Sequence, residues 1–144
     1  MKKDRRRRAR EAALQILYQW EIGRHDVSRA IDTYFGHQWP DAQPPPDEVQ
    51  AFGSALARDT VARLAAIDAL VADTARNWRP ERMAVLDRLI LRMAVCELMR
   101  DVDTPPAVVI NEALELARRF STEDAVKFIN GILDAIRKKL TTRP

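Results

Sequence analysis

The residues of this chain best suited to specific chemistry are five guanidinium groups crowded into six positions, Arg5, Arg6, Arg7, Arg8 and Arg10, behind Lys2 and Lys3. A guanidinium presents five N–H donors in a planar fork that matches phosphate oxygens, and its face stacks on bases. Residues 1–10 hold seven of the 24 basic side chains and one of the 21 acidic ones, a net +6, whereas residues 11–144 carry 17 basic against 20 acidic groups, a net −3. A basic arm on a mildly acidic body points to a polyanionic partner. The preference for arginine over lysine favours nucleic acid over a membrane surface. Beyond Met1 and Ala9 the arm has no apolar group to insert into lipid, so no membrane partner is expected. The competing reading is an incidental solvated tail on a helical body that acts as a protein–protein adaptor.

Other chemistry has little support. His25 and His37 lie near loops with no cysteine close by, no spacing matches a metal site, and no glycine-rich loop could cradle a phosphate. The carboxylates are spread over helix surfaces, where solvated charge is the ordinary role. With no constellation of nucleophile, base and orienting group, an enzyme is not expected, nor is a cofactor or a metal. The single Cys96 sits in an apolar run and reads as a small buried hydrophobe, which excludes a disulfide framework and fits a reducing cytosol. No signal-like segment follows the arm and no uncharged span reaches membrane length, so the chain reads as soluble, cytoplasmic and unprocessed. A second anion site is suggested at the start of the last helix, where free backbone N–H groups and Lys127 are both positive. Phe128 beside it fits the apolar stripe of that helix and reads as core by periodicity, with an edge that could stack on a base as the alternative.

The elements that must position these groups are all helical, because Ala, Leu, Arg and Glu dominate and no period-two alternation persists. Residues 9–22 form a first amphipathic helix with Ala13, Leu17 and Trp20 on one face and Gly23 to end it. The arginines run into it without a break, so its positively charged first turns oppose the helix dipole and should fray unless an anion is bound. Val27 to Phe35 make a short helix capped by Asp26, and Gly36 to Pro46 a proline-rich loop without an assigned role. Asp47 to about Asn77 is either one long helix or two with a bend. Trp78-Arg79-Pro80 ends the first half. Met83 to Met99 is apolar nearly all round and should be central, with Arg92 and Glu97 able to pair inside. Pro105 and Pro106 suit a helix start, Val108 to Phe120 carries one apolar stripe, and Ser121 with Asp124 has the spacing of a capping box. Ala125 to Leu140 then follows the helical period despite Gly131. The expectation is one domain over 1–144, with an arm at 1–10, a helical half at 11–78 and a second at 79–144.

Three segments, RRRAREAALQILYQWE at 6–21, LDRLILRMAVCEL at 86–98 and PPAVVINEALELARRFSTEDAVKFINGILDAI at 105–136, resemble the NusB family of bacterial transcription antitermination factors. The resemblance implies an all-α fold of about seven helices in two packed helical subdomains. It implies a non-enzymatic factor that pairs with a small-subunit ribosomal protein, NusE, and holds the boxA element of nascent ribosomal RNA. With other Nus factors on RNA polymerase, such a complex suppresses termination. Carried over residue by residue, the RNA-binding positions are Arg6, Arg7, Arg8, Arg10, Asp124, Lys127 and Phe128, and the partner-binding positions are Tyr18 and Asp87. An acidic Asp124 beside the RNA would limit affinity. Asn111, Glu112, Asn130 and Gly131 mark the family and are expected to be structural, the polar groups through buried hydrogen bonds and the glycine through close helix approach.

Overall fold

The structure is a computed structural model that describes residues 2–37, 43–100 and 103–142. Among these residues it is all-α, with seven helices: α1 (Lys2–Gly23), α2 (Val27–His37), α3 (Asp47–Ala62), α4 (Leu64–Thr74), α5 (Val85–Arg100), α6 (Pro106–Phe120) and α7 (Glu123–Thr142). A single 3-10 turn, Pro80–Arg82, precedes α5. Among the described residues no helix is long and apolar enough to cross a membrane. Contacts group the chain into two units, 1–62 and 63–144. That boundary is the α3–α4 junction, whereas Trp78 and Pro80 mark the turn leading into α5.

In the first unit α1 packs on both α2 and α3. Small residues let it approach closely: Ala9, Ala12 and Ala13 are buried, and a Cβ added to Gly53 of α3 would stand 3.0 Å from the Ala9 carbonyl oxygen. Leu14, Ile16, Leu17, Leu56 and Ala57 are among the other buried residues of that unit. The α1 helix begins seven residues before the amphipathic span expected from 9–22. Asp4 in its first turn offsets part of the unfavourable dipole, and contacts with α3 hold the arginines. At its other end α1 runs through Gly23, and Arg24 takes the left-handed conformation (φ 54°) that a glycine usually occupies after a helix. A Cβ on Gly23 would come within 2.9 Å of the His25 ring, which would have to turn aside. Asp26 caps α2 as expected, its Oδ1 accepting from the Arg29 amide at 2.8 Å. This helix includes Gly36 and His37, so the proline-rich connection starts later than the composition implied. Residues 38–42 of that connection lie outside the described residues.

In the second unit α5 is the central element, packed by α4, α6 and α7 and buried continuously from Arg88 to Glu97. Residues 47–77 resolve into two helices, with the break at Arg63. Arg92 takes a bidentate partner from α4, with Nε and Nη2 at 2.9 and 2.8 Å from the two oxygens of Asp68. Arg88 donates to the Pro80 carbonyl at 2.8 Å and so fixes the 3-10 turn against α5. Pro106 opens α6 at its first position, as its missing N–H allows. The cap of α7 is one residue later than the Ser121 spacing suggested: the Thr122 hydroxyl accepts from the Ala125 amide at 3.1 Å. Val126, Ile129, Leu133 and Ile136 bury the stripe of α7, and Cys96 is buried in α5.

The expected structural roles of four family-marking residues divide. Glu112 is buried, while Asn111, Asn130 and Gly131 are exposed. No heavy atom lies within 4 Å of a Cβ built on Gly131, so close helix approach does not explain this glycine. The turns of α7 that bury its core stripe leave 130 and 131 on the outward side.

Candidate nucleic-acid interface

Because α1 is helical from Lys2, its arginines point in different directions at fixed angles, unlike those of a loose tail. Arg5 donates from Nη1 to Glu48 at the start of α3 (3.0 Å). Both side chains are about half exposed, so this ion pair is weak and exchangeable. The Arg6 guanidinium carbon lies 4.1 Å from the centroid of the Phe52 ring, and that of Arg10, one turn on, lies 5.4 Å from the same centroid. An open cleft of about 560 Å³ between the two helices is lined by Arg5, Arg6, Glu48, Ala51 and Phe52. Arg7 is half-buried and Arg8 exposed. Arg8 faces the α2 side, where burial, aided by the Glu11 carboxylate, raises the Tyr34 phenol above its ordinary range while Arg8 acts in the opposite sense.

Arg10 differs from the other arginines of the run. It is 4% exposed, inside the α1–α3 contact, while Arg6 is only partly covered. The four arginine positions that the family resemblance groups together are therefore not one surface. Arg6, Arg7 and Arg8 reach solvent, and Arg10 lies beneath them.

In the second unit Asp124, Lys127 and Phe128 are all exposed on the first turns of α7. Spacings of three and four residues put them on one side of the helix with Gly131. Phe128 is 45% exposed, so it is not a core residue although it keeps the apolar period. Lys127 lies within reach of the helix N-terminus, where the dipole adds to its charge. The side chains expected to meet a protein partner differ in access, each within its own unit. Tyr18 of α1 is 42% exposed. Asp87 in the first turn of α5 is half-buried, and its Oδ1 is shielded from solvent without a hydrogen-bond partner. A buried acceptor of this kind is costly unless a donor reaches it.

Sequence reasoning missed Ile22 and Val108, both large, apolar and exposed. Ile22 stands one turn beyond Tyr18, so the two give α1 an apolar outer patch. The signal was present in the helical period, since Tyr18 and Ile22 do not share the face of Ala13 and Leu17. Glu48 and Phe52 carried no such signal, because they are distant in sequence from the arginines they hold. Among the described residues no cluster of His, Cys, Asp and Glu could hold a metal ion.

The NusB family model matches residues 7–138. The chain belongs to the NusB family. It is 47% identical over 135 residues to the transcription antitermination protein NusB of Solibacter usitatus, spanning 94% of this chain and 90% of that protein. The corresponding protein of Koribacter versatilis is 42% identical over 135 residues, with the same coverage of 94% and 90%. Among solved structures, T. maritima NusB superposes with a TM-score of 0.82 at 33% identity, covering 93% of this chain and 91% of that one. A NusB crystallised with NusE and double-stranded RNA gives a TM-score of 0.82 at 23% identity, covering 94% and 98%, a likeness of fold. Family membership accounts for the all-α architecture.

Proposed function

We propose that this chain is a non-enzymatic, cytoplasmic RNA-binding factor for transcription antitermination, acting with the ribosomal protein NusE on boxA-type RNA. The observation that carries this reading is the similarity, over 94% of the chain, to transcription antitermination proteins of the same family. In this reading Arg6, Arg7 and Arg8 contact phosphates from α1. Lys127 supplies charge and Phe128 a stacking face from α7, with Asp124 holding the affinity down. Arg10 acts from within the helix contact. Phosphate contacts of the α1 type give affinity without sequence information, so base recognition falls to Phe128 and to the partner protein. Tyr18 and Asp87 are the proposed NusE contacts, at the positions the family resemblance implies. Other Nus factors and RNA polymerase complete the assembly, and the single domain over 1–144 serves as its RNA-binding module.

The test is binding of a boxA-type RNA against a scrambled RNA of equal length, with and without NusE. Tighter binding of the boxA-type RNA when NusE is present is the expected result. Equal affinity for both RNAs under that condition would leave only a charged helix, and binding of NusE alone would make the chain a protein adaptor.

A further inference from the structure

We propose that Phe52 is a positioning residue for RNA binding, holding the Arg6 guanidinium so that its donors are fixed before RNA arrives. This rests on the RNA-binding reading above. Three observations carry it. The Arg6 guanidinium is in contact with the Phe52 ring, 4.1 Å from its centroid, so the ring quadrupole attracts it and restricts its rotamers. Arg10, 4% exposed, lies 5.4 Å from the same centroid, so a second and buried guanidinium borders the ring. The close α1–α3 contact at Ala9 and Gly53 makes this arrangement possible, because a side chain at Gly53 would push apart the two helices that bring Phe52 to the arginines.

A guanidinium held over a ring has five N–H donors, and those not directed at the ring stay available to a phosphate, so the held state is also the binding state. A long arginine in water must otherwise be ordered when RNA binds, and that ordering weakens binding roughly twofold to tenfold per side chain. The exposed Arg5–Glu48 pair lies on the wall of the same cleft and restrains the neighbouring guanidinium weakly. Phe52 therefore acts through Arg6 without touching RNA.

The experiment compares the full chain with Phe52→Leu, Phe52→Tyr and Arg6→Ala for affinity to a boxA-type RNA over a range of salt concentrations, alongside thermal midpoints. Leucine keeps the apolar bulk and removes the ring, and tyrosine restores the ring. Phe52→Leu is expected to weaken binding about fivefold with an unchanged logarithmic salt slope, since the number of phosphate contacts stays the same. Phe52→Tyr should bind within about twofold of wild type. Arg6→Ala should reduce the slope by about one. Wild-type affinity in Phe52→Leu overturns the proposal, as does an equal loss in the leucine and tyrosine variants. If Phe52→Leu unfolds, side-chain NMR of the unaltered chain gives the answer. Arg6 resonances shifted upfield by the ring should stay shifted when RNA is added, and their return to ordinary values would overturn the proposal. An unaltered chain that binds no RNA defeats the RNA-binding reading itself. Binding without dependence on the ring defeats the role of Phe52 alone.

Discussion

Arg92 and Asp68 meet as a planar fork, with both oxygens of the α4 carboxylate engaged by Nε and Nη2 of one α5 guanidinium. The arginine side chain is 9% exposed and the aspartate 28%, so the pair is only partly screened by water. Removing the aspartate would leave a mostly buried cation without its fork partner. Asp68→Ala should therefore lower unfolding stability by about 1–3 kcal/mol, toward the lower end because the carboxylate keeps some solvent. Chemical denaturation with the slope held constant measures it.

The arginine run should split by function under mutation. Arg10→Ala, at a buried position, is expected to cost about 1–3 kcal/mol of stability through lost packing and the loss of a charge interaction at the α1–α3 contact. Arg8→Ala, at an exposed position, should change stability by less than about 0.5 kcal/mol while weakening RNA binding. Equal melting for the two variants would contradict the separation seen between Arg10 and its neighbours.

Three backbone exchanges should differ in sign. Gly131→Ala lies in an exposed helix interior with nothing to meet, so it should stabilise by about 0.5–1 kcal/mol. Gly53→Ala meets a backbone oxygen at 3.0 Å, and the overpacking should outweigh the propensity gain, for a net loss of roughly 1 kcal/mol. Arg24→Gly relieves a positive φ and should gain about 1 kcal/mol. Thermal scans of all three at one protein concentration decide the signs.

The cap of α7 gives a discriminating pair. Thr122→Ala should lower stability by about 1 kcal/mol by freeing the Ala125 amide, whereas Ser121→Ala should stay within about 0.5 kcal/mol. The reverse order would restore the capping box read from Ser121 and Asp124.

Phe128→Ala should weaken RNA binding by about 1–3 kcal/mol, the range for loss of one base–aromatic stack. Its melting temperature should change little, because the ring is already 45% exposed. Loss of fold in this variant would return Phe128 to the core.

Most of the architecture was legible in sequence, for a physical reason that also explains what was not. From Ala125 onward the apolar residues recur every three or four positions, and burial at Val126, Ile129, Leu133 and Ile136 enforces that period locally. The start of α1 is set non-locally. A run of positive charge at the positive end of a helix reads as frayed, and what offsets it at Arg5 is Glu48, 43 residues further on. The helix break at Arg63 carries neither glycine nor proline, so nothing in the residue types announced it. Phe128 shows the converse limit: it keeps the apolar period yet faces outward, because a helix stripe has edges and period alone does not fix how far the neighbouring helices reach. The resemblance singles out Arg6, Arg7, Arg8 and Arg10. It could not show that an i, i+4 pair, Arg6 and Arg10, shares one ring from another helix with unequal access to solvent.

Cys96, the only cysteine of the sequence, is buried in the middle of α5, the helix that contacts every other helix of its unit. Its thiol is therefore a native reporter: an alkylating reagent modifies it only when the second unit opens. The modification rate, measured with and without RNA, reads the free energy of that opening in the unaltered protein, with no introduced label.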